Sequence, residues 1–280
     1  MSTPLTVRID GAPAASVDVL DRGLHYGDGL FETIACRAAR PRFLDLHLER
    51  LAEGCVRLGI AYPDFDPLGA QIRALAAAHE ASLIKLLLTR GSATGRGYGP
   101  EGGERARVVL LQYPWPQEDP ALSEHGVAVR TAHGRLGENP RLAGLKHLNR
   151  LEQVLIRAEW RDPAIHEALV FSSSGWLISG TMSNVFLVTS GRLMTPALTQ
   201  AGVRGVMRKV VLREAQAAGL SVGEGALDAA ALAAAEEIFL TNARIGLWPV
   251  RSLDGAPRSV GAVTRQLQRV LRPLLENSGA

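Results

Sequence analysis

Along the first 113 residues the hydrophobic pattern switches repeatedly between short β-type runs and helical spacing. Leu5–Ile9 and Leu30–Cys36 read as strands, and DRGLHYGDG between them reads as an irregular, glycine-bearing loop. From Asp45 to Leu58, the apolar positions Leu48, Leu51, Cys55 and Leu58 recur at helical spacing, with Asp45 placed to cap the helix. A second helix is predicted over Pro67–His79. The apolar runs SLIKLLLTR and ARVVLLQY, either side of the loop GSATGRGYGPEGGE, suit buried strands. The segment PWPQEDPALSEHG, starting at Pro114, holds three prolines and no periodicity, which predicts a linker.

The second half continues the mixed pattern. GVAVRTA is a strand, and His147–Trp160 is a predicted helix with Leu148, Leu151, Val154, Leu155 and Ala158 on one face. EALVFSSSGWLIS and NVFLVTSGRLMTP read as hairpins turning through Ser-Ser-Gly and Ser-Gly. Arg204–Gly219 and Ser259–Leu275 are predicted helices, Glu237–Leu240 a strand, and LDAAALAAAEE a good helix former. The elements do not form an uninterrupted βαβ series, so a doubly wound sheet is disfavoured. The expected architecture is α+β in two domains: a small one over 1–113, a linker over 114–125, and a larger one over 126–280.

Composition narrows the class without choosing a function. With 46% hydrophobic and 21% charged residues in 280, the chain matches soluble globular averages. No run approaches the roughly 20 apolar residues of a membrane helix, and MSTPLTVRID has no basic segment followed by an apolar run. Cys36 and Cys55 form no CxxC pair and cannot build a disulfide framework. A reduced, cytoplasmic protein with no membrane partner is expected. The net charge is +3, and only Lys85, Lys146 and Lys209 are lysines, leaving 28 of the 31 basic residues as arginine. The arginines are interleaved with acids, as in LHLERL and HLNRLEQ, which describes solvated helix surface rather than a nucleic-acid face. The scarcity of lysine leaves few candidates for amine chemistry.

Several site chemistries fall away. GSATGRGYG lacks the GK[ST] ending of a phosphate loop, and its Arg96 and Tyr98 could instead meet an anionic substrate or simply belong to a mobile hairpin. The histidines show no HxxxH or HxH spacing, so no metal site is expected. The serines of FSSSG lie in a turn rather than a nucleophile elbow. Two features remain. Lys146, in NPRLAGLKHLNRLEQVL, lies between an extended approach and the predicted helix start, where desolvation and nearby cations can make an amine nucleophilic. In AGVRGVMRKVV a glycine-bearing turn runs into a helix, so the amides around Gly205, Val206 and Met207 offer an anion site suited to phosphate. An imine-forming lysine and a phosphate cup together point to pyridoxal 5′-phosphate.

The segments DRGLHYGDGLFET, HLERL, RGSATGRGYG, GLKHLNRLEQVL, TMSNVFLV and AGVRGVMR, in this order, resemble the fold-type IV pyridoxal-phosphate enzymes over nearly the whole chain. That group holds the branched-chain and D-amino-acid aminotransferases and the aminodeoxychorismate lyases. NPRLAGLKHLNRLEQVLIRA and QAGVRGVMR look most like the lyases. The resemblance implies that Lys146 carries the cofactor and later moves the proton, that Arg50 binds its phosphate, and that Gly205, Val206 and Met207 form the phosphate cup. It also implies that Asn242 closes the phosphate and substrate side, and that Tyr26, Arg96 and Tyr98 line the substrate pocket. Five residues before the asparagine of SNVF, the family has a glutamate facing the pyridine nitrogen; here the residue is Ser179. A serine hydroxyl can donate to that nitrogen but brings no counter-charge, so a weaker electron sink is expected, favouring elimination over transamination.

The implied reaction is conversion of 4-amino-4-deoxychorismate, a small-molecule substrate, to 4-aminobenzoate and pyruvate. The implied assembly is a homodimer. Transamination of D-amino or branched-chain amino acids is the runner-up. A basic nucleic-acid-binding module that has lost catalysis is a third reading, disfavoured by the scattered arginines.

Overall fold

The strand pattern of LFETIAC sets up the first half of the molecule. In β3 (Gly29–Arg37) the residues Leu30, Glu32, Ile34 and Cys36 alternate into the interior, as the two-residue period of a strand requires. The computed structural model describes residues 3–62, 64–117 and 119–276. Glu118, within the expected linker, therefore lies outside the described residues.

The described chain divides into two units. The first takes the residues up to Pro116, together with Leu145–Asn149 and Glu276; the second takes Gln117–Gly144 and Arg150–Leu275. In the first unit, β1 (Thr6–Ile9), β2 (Ala12–Pro13), β3, β4 (Arg40–Pro41), β5 (Ala81–Thr89) and β6 (Arg107–Pro114) form one sheet in the order β2-β1-β6-β5-β3-β4. Every recorded pairing is antiparallel. The unit also holds α1 (Arg22–Tyr26), α2 (Leu44–Leu58) and α3 (Asp66–Ala77). Its core joins Leu30, Ile34 and Cys36 of β3 to Ile84, Leu86 and Leu88 of β5, Leu51 and Cys55 of α2, and Leu68 and Ile72 of α3.

The segment DRGLHYGDG is not irregular throughout. Asp21 caps α1 by accepting from the Gly23 amide, and Gly27 ends the helix at φ 63°. Asp45 does not cap α2: Phe43 holds that position in the left-handed region with no side-chain cap, and Asp45 lies in the first turn, where its charge suits the helix dipole.

In the second unit, β7 (Val127–Leu136), β8 (Ile165–Ser172), β9 (Leu177–Gly180), β10 (Asn184–Thr189), β11 (Arg192–Pro196), β12 (Val222–Gly225), β13 (Glu237–Asn242) and β14 (Gly246–Leu253) run in the order β12-β11-β10-β13-β14-β7-β8-β9, with β15 (Ala256–Pro257) beside β14. Parallel pairs (β11–β12, β14–β7, β7–β8) are mixed with antiparallel ones, so the sheet is not doubly wound. The helices are α4 (Ala121–His125), α5 (Leu151–Arg157), α6 (Val206–Ala217), α7 (Ala229–Ala234) and α8 (Ala262–Glu276). β10 is buried over five consecutive residues and stacks Phe186 on Phe239 of β13 at 4.9 Å.

The division between the units falls inside the expected 114–125 linker, which also carries α4. Two expectations are corrected here. The predicted helix over His147–Trp160 shrinks to α5, and Leu151, Val154 and Leu155 on it are 76%, 60% and 71% exposed. Residues 146–148 are extended instead, held by backbone bonds to the start of β3. Leu145–Asn149, expected in the second domain, thereby packs with the first unit.

Candidate functional site

Lys146 is placed by β-type pairing rather than by a helix. The Phe31 amide donates to the Lys146 carbonyl (2.9 Å), the Leu148 amide donates to the Gly29 carbonyl (3.0 Å), and Leu30 bridges to His147. The ammonium lies 4.2 Å from the centre of the Phe31 ring, so the amine sits against an aromatic wall.

In the same unit a buried carboxylate organises two residues of α2. Glu32 accepts from His47 Nδ1 (2.7 Å), from Arg50 Nε (2.7 Å) and from Arg50 Nη2. This is a fork-to-fork pairing that fixes the plane of the guanidinium. Burial would raise the Glu32 carboxyl, but the Arg50 charge and the His47 contact overcome it and hold it at about 2. Burial pushes His47 below its usual value despite the carboxylate, so the imidazole is neutral. Because the carboxylate only accepts, Nδ1 carries the proton. Nε2 then offers a lone pair, and that atom is buried with no hydrogen-bond partner in the structure. The Lys146 charge also acts on His47, which places amine, imidazole and guanidinium in one neighbourhood. Sequence reasoning found Arg50 and Lys146 but missed Glu32 and His47.

The expected substrate-side residues of this unit form a second group. The Tyr26 and Tyr98 rings lie 5.4 Å apart, Tyr98 being 85% exposed, and Arg96 is exposed on the same loop. Arg22, another residue that sequence reasoning missed, ties the loop down by donating to the carbonyls of Gly97 (3.3 Å) and Tyr98 (2.6 Å). Its Nε donates to Asp28 (2.9 Å), which also accepts from Arg90 Nε (2.8 Å). Burial would raise the Asp28 carboxyl, but the bonds from Arg90 and Arg22 hold it below its usual value.

The second unit holds the remaining expected residues. Gly205 precedes α6, which has no side-chain cap, so the first amides from Val206 and Met207 have no acceptor within the helix. Asn184 donates from Nδ2 to the Val203 carbonyl (2.8 Å), and its Oδ1 lies where a Cβ on residue 205 would be. Only glycine fits that cradle. Gly144, two residues before Lys146 in the chain, donates to the Gly202 carbonyl and accepts from the Arg204 amide.

Ser179 is buried and donates from Oγ to the Gly180 carbonyl (2.7 Å). Asn242 accepts from the amides of Arg244 and Ile245 (2.9 Å each) and donates to the Met182 carbonyl (3.1 Å), which gives it a turn-forming position.

Burial raises both cysteine thiols to about 11, leaving them unreactive. Among the described residues no cluster of histidine, cysteine or acidic side chains could hold a metal ion, and no helix is long and apolar enough to cross a membrane.

The chain is 34% identical to an aminodeoxychorismate lyase from Vibrio harveyi over 93% of its length and 97% of that protein. It superposes with a TM-score of 0.93 on the crystal structure of 4-amino-4-deoxychorismate lyase from Pseudomonas aeruginosa, at 45% identity, covering 96% of this chain and 99% of that one. The branched-chain amino acid aminotransferase of Escherichia coli shares the fold, with a TM-score of 0.88 at 24% identity, covering 100% and 97% of the two chains. The model of the amino-transferase class IV family matches residues 29–253, and the chain belongs to that family.

Proposed function

We propose that this protein is a pyridoxal-phosphate-dependent lyase that converts 4-amino-4-deoxychorismate to 4-aminobenzoate and pyruvate. The observation that carries the reading is the neighbourhood of Lys146, His47, Glu32 and Arg50 in one unit: an amine against an aromatic ring, beside a guanidinium whose orientation is fixed by a buried carboxylate. The degree of likeness to lyases, above that to aminotransferases, favours elimination over transamination.

The residues fit the cofactor. Lys146 would hold it through Nζ, and Arg50 would meet its phosphate with the guanidinium plane that Glu32 fixes. In the second unit, the α6 amides of Val206 and Met207, beyond the Gly205 cradle, offer the anion site that the family resemblance assigns to a phosphate. Ser179 would stand toward the ring nitrogen, and Asn242 would close the pocket by fixing the turn after β13. When bound, pyridoxal phosphate supplies an electrophilic carbon for the substrate amine and a ring that accommodates charge developed at the amine-bearing carbon.

Lys146 Nζ then acts as the base that takes the proton from that carbon. The carbon–oxygen bond to the enolpyruvyl group breaks, the ring becomes aromatic, and Lys146 returns the proton to the enolpyruvyl methylene carbon, giving pyruvate. Atoms balance without a co-substrate. Arg96, with Tyr26 and Tyr98 beside it, is the proposed contact for a substrate carboxylate.

A cytoplasmic homodimer completes the reading. Its support is the apolar face of α5, where Leu151, Val154 and Leu155 are all more than half exposed in the single chain.

The test uses the cofactor-loaded protein and freshly generated aminodeoxychorismate with no 2-oxo acid. Equal, catalytic amounts of 4-aminobenzoate and pyruvate, abolished in Lys146→Ala, are expected. Product release only when a 2-oxo acid is added would move the assignment to transamination.

A further inference from the structure

We propose that Glu167 is the positioning residue for the cofactor-facing segment between Ser179 and Asn184. The inference rests on the pyridoxal-phosphate reading above. Glu167 is 1% exposed on β8, and both carboxylate oxygens are engaged. Oε1 accepts from the Ala168 amide (2.9 Å), the Thr181 amide (3.0 Å) and the Thr181 hydroxyl (2.5 Å). Oε2 accepts from the Met182 amide (3.1 Å) and the Ser183 hydroxyl (2.9 Å). Four of these five donors belong to residues 181–183, the turn that leaves β9 and enters β10.

That turn is tied to everything the second unit contributes to the site. Ser179 lies two residues before it, and the Gly180 amide donates to the Ser183 carbonyl (2.8 Å), which closes the turn on itself. Asn242 holds the Met182 carbonyl from the β13 side. Asn184 follows directly, bonds the Val203 carbonyl and stands against Gly205, the residue that opens the α6 amides. One buried carboxylate therefore sets the position of both the ring-nitrogen residue and the buttress of the phosphate cup.

The substitution test follows from the donor inventory. Each Glu167 oxygen faces at least one backbone N–H, and a backbone amide cannot reverse its role. In Glu167→Gln the side-chain NH2 must meet a donor in either orientation, so the turn has to shift. Thr181→Val removes one hydroxyl donor and leaves the backbone donors in place.

The experiment titrates pyridoxal phosphate into the apo forms of the wild type, Glu167→Gln and Thr181→Val, following the visible absorption of the bound cofactor. Apo melting temperatures are recorded in parallel. A rise in cofactor Kd of about tenfold or more for Glu167→Gln, and a smaller rise for Thr181→Val with its apo melting temperature unchanged, is expected. A purely structural role would lower melting temperatures and leave Kd alone. If Glu167→Gln does not fold, Thr181→Val and Ser183→Ala decide the matter. Wild-type-like Kd values in the variants that fold would overturn the inference alone. A wild type that binds no pyridoxal phosphate would overturn the functional reading and this inference with it.

Discussion

Glu32 shows how much a single residue can organise. Its carboxylate accepts from both an imidazole and a guanidinium, so Glu32→Gln breaks a buried bidentate ion pair and turns a side-chain NH2 toward one of those donors. Glu32→Gln should destabilise the apo protein by about 3 kcal/mol, measured by urea unfolding. The pH dependence has a fixed sign. The folded carboxyl sits at about 2 against 4.5 ordinarily, so its contribution is fully present above the higher value and is lost as pH falls toward the lower one. Stability of the wild type should therefore fall more steeply than that of Glu32→Gln between about pH 5 and 2. Equal slopes would remove Glu32 from the account.

The thiols give an independent check. With both held at about 11 by burial, Cys36 and Cys55 should resist iodoacetamide at pH 8 until the chain is unfolded, as read by mass spectrometry. Arg50 and Lys146 were legible because each lies in a recognisable segment. Glu32 was not, although LFETIAC carried a signal: strand alternation puts Glu32 on the same face as Leu30 and Ile34, and a buried acid demands a partner.

At the scale of elements, the strands and hairpins were readable because two-residue periodicity and turn residues agreed. The Ser190–Gly191 turn adopts the paired left-handed conformation of a tight hairpin (φ 49° and 71°). The helix over 147–160 was misread because Leu148 has helical spacing to Leu151 and Leu155, whereas its backbone bonds to Gly29 require an extended chain. Tertiary pairing overrode local period. α1 was missed because five residues carry too little periodicity, although its Asp21 cap and Gly27 stop are both visible in the sequence.

The same attention to element ends yields a prediction for α6. Gly205→Ala would bring a methyl group into Asn184 Oδ1, forcing either the β10 entry or the helix start to move. Cofactor affinity should fall by about tenfold or more, while far-UV circular dichroism stays at the wild-type value. Retained affinity would mean that the α6 amides do not form the phosphate cup.

For the whole molecule, the class IV architecture was legible from the order of segments, whereas the return of residues 145–149 to the first unit was not. Residues 145–149 follow β7 in sequence but pack with the first sheet, and no local pattern encodes a return across so many residues. The choice between elimination and transamination is also a property of the whole enzyme, and Ser179 is where it can be tested. The Ser179 hydroxyl donates a hydrogen bond to the Gly180 carbonyl, and toward a ring nitrogen it brings no counter-charge.

A glutamate there would put a carboxylate at a position that is buried in the wild type. A buried carboxylate requires a cation, and a protonated ring nitrogen is the one the bound cofactor can provide. Ser179→Glu should thus lower apo stability, recover more of it on cofactor binding than the wild type does, and shift the balance of activities. Transamination of D-alanine or a branched-chain amino acid with a 2-oxo acid should rise by about tenfold or more relative to 4-aminobenzoate release. An unchanged ratio in a variant that binds the cofactor normally would mean that the residue at 179 does not select the reaction.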